Sequence, residues 1–251
     1  MKIVGVIPAR YGSSRLPGKP LKKIAGQTLI QRVYQNARKA EALDSILVAT
    51  DDQAIKAEVG NFGGQAVLTS SEHTSGTDRI AEVIRDISCD YVVNIQGDEP
   101  FLKPSDIDRV VGDVIEKKCK IGTLAKKNIS WEEYKDPNTV KVVINKKGFA
   151  LYFSRHSIPY IRDQENSETK DIPALKHIGV YVFTREILQR FTKMAVSPLE
   201  KLEKLEQLRL LEEGYKIYIT KTNHDSPGID TAEDLKLAEG VINRDEFVKK
   251  N

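Results

Sequence analysis

Ile3-Val4-Gly5-Val6-Ile7-Pro8-Ala9-Arg10-Tyr11-Gly12-Ser13-Ser14-Arg15-Leu16-Pro17-Gly18-Lys19-Pro20 is the stretch that decides the fold. Residues 3–7 form a short apolar run rich in β-branched side chains, which reads as a buried strand. Residues 8–20 cannot continue that strand. Gly12 and Gly18 let the backbone approach a ligand closely, hydroxyls and amides can donate, and Arg10, Arg15 and Lys19 place three cations in one turn region. Chemically, that is a cradle for a triphosphate. It is neither GxGxxG nor a Walker A sequence, so dinucleotide binding and P-loop hydrolysis lose ground. A merely solvated basic loop is the competing reading, and the two prolines argue against it by stiffening a segment that such a loop leaves free.

Outward from this stretch the pattern repeats. Residues 46–50 and 91–95 read as further buried strands, separated by amphipathic stretches at 29–40, 54–62 and 78–87. This βαβ rhythm predicts a parallel sheet whose ligands sit beyond the carboxyl ends of its strands, where the most polar segments fall. From about residue 141 the rhythm changes: 142–144, 150–153 and 178–183 are strand-like, and the charged stretch 163–170 reads as a mobile surface loop. Ser197-Pro198 reads as an N-cap and first helical residue, opening a helix over 199–213 that stops at Gly214. A strand at 215–220 and a helix after Asp230 finish the chain. The predicted fold class is α/β: a Rossmann-like, mostly parallel sheet flanked by helices (residues 1–140 and 215–251), with a smaller mixed α/β lobe (residues 141–214).

The 251 residues, 40% hydrophobic, suffice for one good-sized core and a smaller lobe. A net charge of +3 gives too weak a field for a dedicated nucleic-acid binder, so any anion site is local. Two cysteines, Cys89 and Cys119, lie too far apart for a zinc or redox motif and read as reduced structural thiols. The apolar start meets Pro8 and Arg10 before a signal-peptide core can form, and no stretch is long enough to cross a bilayer, so a cytoplasmic location is the expectation.

Asp98, in Gln96-Gly97-Asp98-Glu99-Pro100, comes just after the strongest strand and is expected to project from its end toward the cationic loop. A carboxylate facing phosphates needs a hard cation between them, and Mg2+ takes few carboxylates plus phosphate oxygens. Asp230 would supply a second carboxylate, although as a residue just before a helix it reads equally as an N-cap. Glu99 reads as a surface or supporting residue. Ser75-Gly76-Thr77 opens a helix whose free amides suit a polar base edge or a phosphate; a plain N-cap at Ser75 or Thr77 is the alternative. Asp51 and Asp52 are read as a helix cap. Arg155 is the first candidate to receive a carboxylate, since a guanidinium suits bidentate contacts.

The cradle loop resembles the signature of 3-deoxy-manno-octulosonate (Kdo) cytidylyltransferases, a branch of the sugar nucleotidyltransferases. Further similar blocks occur in order along the chain: His73–Arg79, Gln96–Pro100, Pro137–Val143, Tyr152–Arg155, His177–Tyr181, Leu205–Arg209 and Gly228–Thr231. The resemblance implies transfer of CMP from CTP to an acidic eight-carbon sugar, Kdo or its 8-amino analogue, with release of pyrophosphate. It implies nucleotide contacts at Ala9, Arg10, Ser13, Ser75, Gly76 and Arg79, and catalytic roles for Arg10, Arg15, Lys19 and Asp98. It gives Mg2+ to Asp98 and Asp230, and a sugar pocket to Gln96, Arg155, His177, Tyr181, Glu206 and Gln207. Taken singly, His177 reads more readily as a buried hydrogen-bonded histidine, and Glu206 lies beside a leucine stripe (Leu202, Leu205, Leu208, Leu211) that explains its helix without a ligand. The resemblance also implies a homodimer through the smaller lobe and a place in lipopolysaccharide synthesis. A metal-dependent GT-A glycosyltransferase, a sialic-acid cytidylyltransferase and a non-catalytic nucleotide sensor are the rival readings. Departures are minor: Ala232 stands where the family commonly has proline, and 163–170 matches poorly, leaving the C8 substituent open.

Overall fold

The computed structural model describes residues 1–12, 16–162 and 172–250, with side chains to residue 243. By compactness the chain divides into a first unit, Met1–Asp108 with Ser226–Asn251, and a second, Arg109–Asp225. The lobe expected at 141–214 falls within the second unit.

The first unit runs β1 (Ile3–Ala9), β2 (Lys23–Ile24), β3 (Gln27–Thr28), α1 (Leu29–Ala37), β4 (Ser45–Thr50), α2 (Gln53–Asn61), β5 (Ala66–Leu68), α3 (Gly76–Arg85), β6 (Tyr91–Asn94) and α4 (Pro104–Glu116), the boundary falling inside α4. The second carries β7 (Ile121–Lys126), α5 (Trp131–Lys135), β8 (Lys141–Ile144), β9 (Ala150–Ser154), β10 (Leu175–Thr184), α6 (Arg185–Phe191), α7 (Pro198–Glu203), α8 (Gln207–Glu212) and β11 (Tyr218–Thr222). The chain then returns to the first unit as α9 (Ala232–Lys250).

In the first unit β1 lies between β4 and β6 with β5 outside β4, all parallel. β1 is buried on both faces, with Val4, Val6 and Ile7 at zero exposure, as a strand covered by helices must be. α1 and α3 turn Leu29, Ile30, Val33 and Ile80, Val83, Ile84 inward. The parallel β-α rhythm is therefore as the sequence predicts, and all its strand ends point one way.

The second unit is mixed: β10 is antiparallel to β7 and β8, β8 is antiparallel to β9, and β11 runs parallel to β7. The helix predicted over 199–213 is two helices. Ser197 caps α7 in a reciprocal box with Glu200, and Lys204 then turns left-handed at φ 55°, ending it. The leucine stripe breaks accordingly: Leu202 is 80% exposed, and Leu205, Leu208 and Leu210 point inward. The stretch 163–170 lies outside the described residues. Among those described, no helix is long and apolar enough to cross a membrane.

Candidate active site

At the carboxyl end of β1 the chain is crowded by two glycines. A Cβ on Gly97 would lie 2.9 Å from the Pro8 carbonyl oxygen, and one on Gly76 would lie 3.1 Å from the Pro8 ring. Only residues without a side chain let the loop after β6 and the start of α3 close on this strand end. Beyond it Ala9 is buried, Arg10 is exposed, and the loop folds back through Gly18 N–H to the Tyr11 carbonyl at 3.1 Å. Gly18 is left-handed at φ 67°, and Lys19 opens a short 3-10 turn that buries Pro20. Ser13 and Arg15 lie outside the described residues.

Lys19 is the centre of the arrangement. Its Nζ donates to Asp98 Oδ2 at 2.7 Å and to Asp230 Oδ1 at 3.1 Å, so carboxylates far apart in the sequence meet on one cation. Two backbone devices hold them there. Ile229 N–H donates to the Asp98 carbonyl at 2.9 Å, stitching the segment before α9 to the loop after β6. Thr231, not Asp230, caps α9: its hydroxyl accepts from Asp234 N–H at 3.1 Å, while Asp234 Oδ2 accepts from the amides of Asp230 and Thr231 at 3.0 and 2.8 Å. The N-cap reading of Asp230 is corrected by one residue, which releases its carboxylate to face Lys19. Glu99 accepts from Ser226 Oγ at 3.1 Å and supports this corner.

Ser75 is the N-cap of α3, its hydroxyl accepting from Asp78 N–H at 3.1 Å. Gly76 and Thr77 come next, with amides of the first turn. Arg79 is 3% exposed and looks inward: it donates to Asp51 Oδ2 at 2.9 Å, to Thr69 Oγ1 and to the Ser70 carbonyl. Asp52 caps α2, as expected, whereas Asp51 is Arg79's counter-ion. Gln96 is half-buried, with its amide 3.5 Å from Asn94 Oδ1.

In the second unit His177 and Tyr181 sit four positions apart on β10, yet their ring centroids are 5.3 Å apart. A regular strand rises about 3.3 Å per residue and would hold them far beyond contact. The cause is a bulge: Ile178 pairs with Leu124 but Tyr181 with Thr123, so that Gly179 and Val180 are looped out of the register. Thr123 Oγ1 plugs it, donating to the Val180 carbonyl at 2.7 Å and lying 3.0 Å from His177 Nε2. A Thr123 hydroxyl that gives its proton to the Val180 carbonyl accepts from His177 Nε2–H, the tautomer in which Nδ1 is an acceptor. Packing around the ring, with Phe153 at 5.2 Å, pushes the His177 pKa down to about 3 by burial. The imidazole is neutral at neutral pH.

Arg155, just after β9, donates from Nε to the Glu203 carbonyl at 3.0 Å and from Nη1 to the Pro137 carbonyl at 3.3 Å. The Glu203 carboxylate in turn receives Ser154 Oγ at 2.6 Å and Arg155 N–H at 2.9 Å. The break after α7 places Glu206 and Gln207 at the start of α8, and Gln207, 6% exposed, has a buried Nε2 with no partner among the described residues. A buried amide without an acceptor is rare in folded chains.

Sequence reasoning missed Asp234, Thr123 and Glu203. Thr231-x-x-Asp234 is a capping-box spacing, and Gly179 inside a strand is a bulge signal; Glu203 gave none.

A family model for cytidylyltransferases matches residues 4–217. The chain is 48% identical to the 3-deoxy-manno-octulosonate cytidylyltransferase of Syntrophotalea carbinolica, with 96% of this chain and 99% of that protein covered. It is 49% identical to that of Fusobacterium nucleatum subsp. nucleatum, covering 100% and 98%. Among solved structures it is similar to a CMP:2-keto-3-deoxy-manno-octonic acid synthetase complexed with CTP, at 41% identity and TM-score 0.91, covering 98% of this chain and all of that one.

Proposed function

The chain belongs to the 3-deoxy-manno-octulosonate cytidylyltransferase family, and from that premise we propose that it transfers CMP from CTP to Kdo, or to its 8-amino analogue, releasing pyrophosphate. The observation that carries this reading is the meeting of Asp98 and Asp230 on Lys19, in the unit whose first strand ends in the cationic loop. The CTP-bound state of the similar solved structure supports the choice of donor.

The sugar's anomeric oxygen attacks the α-phosphorus in line; the new bond is sugar oxygen to α-phosphorus, and the bond broken is α-phosphorus to the bridging oxygen of the leaving pyrophosphate. No protein nucleophile is needed, so the chain's own work is orientation and charge stabilisation. Arg10, Lys19 and Arg15 receive the pyrophosphate charge, with Ala9 and Ser13 beside the triphosphate. Ser75 and Gly76 present backbone at the start of α3 to the nucleotide. Arg79 serves this loop chiefly by fixing Asp51 and Thr69 behind it.

The donor set suits magnesium. Two carboxylate oxygens already share one cationic partner, and such hard oxygen ligands are what Mg2+ takes together with phosphate oxygens. Asp98 and Asp230 would hold the ion, which would supply charge neutralisation at the phosphates and a lowered pKa of the attacking hydroxyl. Lys19, held by both carboxylates, would be placed to turn to phosphate oxygens.

For the sugar, Arg155 receives the carboxylate, and Gln96, His177, Tyr181, Glu206 and Gln207 meet hydroxyls. The neutral His177 accepts through Nδ1, and the unpartnered Gln207 amide donates. The family resemblance further supports a homodimer, a cytoplasmic location and a role in lipopolysaccharide synthesis.

The test is pyrophosphate release with CTP, UTP and ATP, each offered with Kdo, 8-amino-Kdo and a sialic acid. Turnover confined to CTP with the eight-carbon acids is expected; release with a sialic acid instead, or none with any pair, defeats the reading.

A further inference from the structure

Lys141 opens β8 and is wholly buried, at zero exposure, with no ion pair among the described residues. Its ammonium donates to three main-chain carbonyls, Asp136 at 2.8 Å, Thr139 at 2.5 Å and Arg155 at 2.5 Å. Three N–H groups meet three acceptors, so the donor capacity of the group is filled. Such a cage of carbonyl oxygens is what a monovalent cation binds; here the cation is fixed to the chain. Burial pushes the Lys141 pKa down, so a charge in this place is costly.

The segments that the cage joins explain why a charge sits there. Asp136 and Thr139 are the two ends of one turn, closed by Thr139 N–H on the Asp136 carbonyl at 3.1 Å. Between them the Pro137 carbonyl accepts from the Arg155 guanidinium, and the third carbonyl of the cage is Arg155's own. One ammonium thus anchors both the main chain of Arg155 and the turn on which its guanidinium rests.

We propose that Lys141 acts as a tethered monovalent cation, a positioning residue that sets the Arg155 guanidinium for the carboxylate of the sugar acid. This rests on the assignment of Arg155 to that carboxylate. Lys141 touches no substrate; its effect reaches the reaction through Arg155 alone.

Lys141→Ala removes the three carbons and nitrogen that n-propylammonium restores. The variant is expected to raise KM for Kdo on the order of tenfold, with KM for CTP within about twofold, because one binding contact is lost and the other substrate is untouched. Added n-propylammonium should recover most of the loss; tetramethylammonium, equally charged but without N–H donors, should not. Lys141→Met, which keeps the stem, should show the same KM split and stands in if the alanine variant does not fold. Equal rises in both KM values, or recovery by both ammonium ions alike, overturn the proposal. Arg155→Ala separates the two levels. If it leaves KM for Kdo unchanged, the Arg155 assignment is wrong and the role of Lys141 falls with it. If it raises that KM while both Lys141 variants do not, only the role of Lys141 is wrong.

Discussion

At the residue scale, two side chains give sharp expectations. Asp98→Asn keeps the shape of the side chain but not its charge, and should lower turnover on the order of 10²-fold, the scale of losing one key electrostatic stabiliser, with CTP binding retained. Near-normal rates in a pyrophosphate assay would remove the metal assignment. His177 gives a pH dependence of stability. Its pKa in the folded chain is about 3, against an ordinary value near 6.5, so between these values the unfolded chain binds a proton that the folded chain does not. Stability should therefore be full above pH 7 and decline as the pH falls through 6 and 5. Urea midpoints for wild type and His177→Gln at pH 7.5 and 5.0 check this, the variant showing the smaller decline. Asp98 was legible in the sequence because a strand-end position and a loop of opposite charge both pointed to it. Gln207's isolation was not, since a missing partner exists only once the neighbours are placed.

At the element scale, strands and helices with a clear period were readable, and departures from period were not. β1, β4 and β6 come from apolar runs, and α1 and α3 from faces that recur at helical spacing. The split between α7 and α8 was hidden because Lys204 is neither glycine nor proline, and a left-handed lysine has no sequence mark of its own. The β10 bulge was visible only as Gly179, too little to show that His177 and Tyr181 touch. The start of α9 is where an element serves the chemistry most directly. Asp234→Ala removes the acceptor of two amides and should cost about 1 kcal/mol, the usual worth of a helix cap. Because the same carboxylate fixes Asp230, the variant should also need more Mg2+ for half-maximal turnover. A magnesium titration unchanged from wild type would mean that Asp230 keeps its place without this support.

At the scale of the whole molecule, each unit carries a feature that bears on stability or on assembly. In the second unit Arg209 and Glu200 form a buried pair, with Nε and Nη2 each 2.6 Å from a carboxylate oxygen and the guanidinium 4.8 Å over Phe191. Arg209→Met leaves Glu200 a buried charge without its counter-ion and should cost about 3–5 kcal/mol, seen as a large fall in Tm. The double variant Glu200→Gln, Arg209→Met should recover much of that loss, and KM values of the folded fraction should stay at wild type. The first unit is interrupted in sequence, its chain leaving at Asp108 and returning at Ser226. Lys19 and Asp98 therefore lie before the interruption, and the carboxylate of Asp230 after it. A polypeptide still emerging from the ribosome can lay down its parallel sheet long before it possesses the second carboxylate. The pairing of Asp98 and Asp230 on one ammonium is therefore made only after the whole intervening unit has been translated.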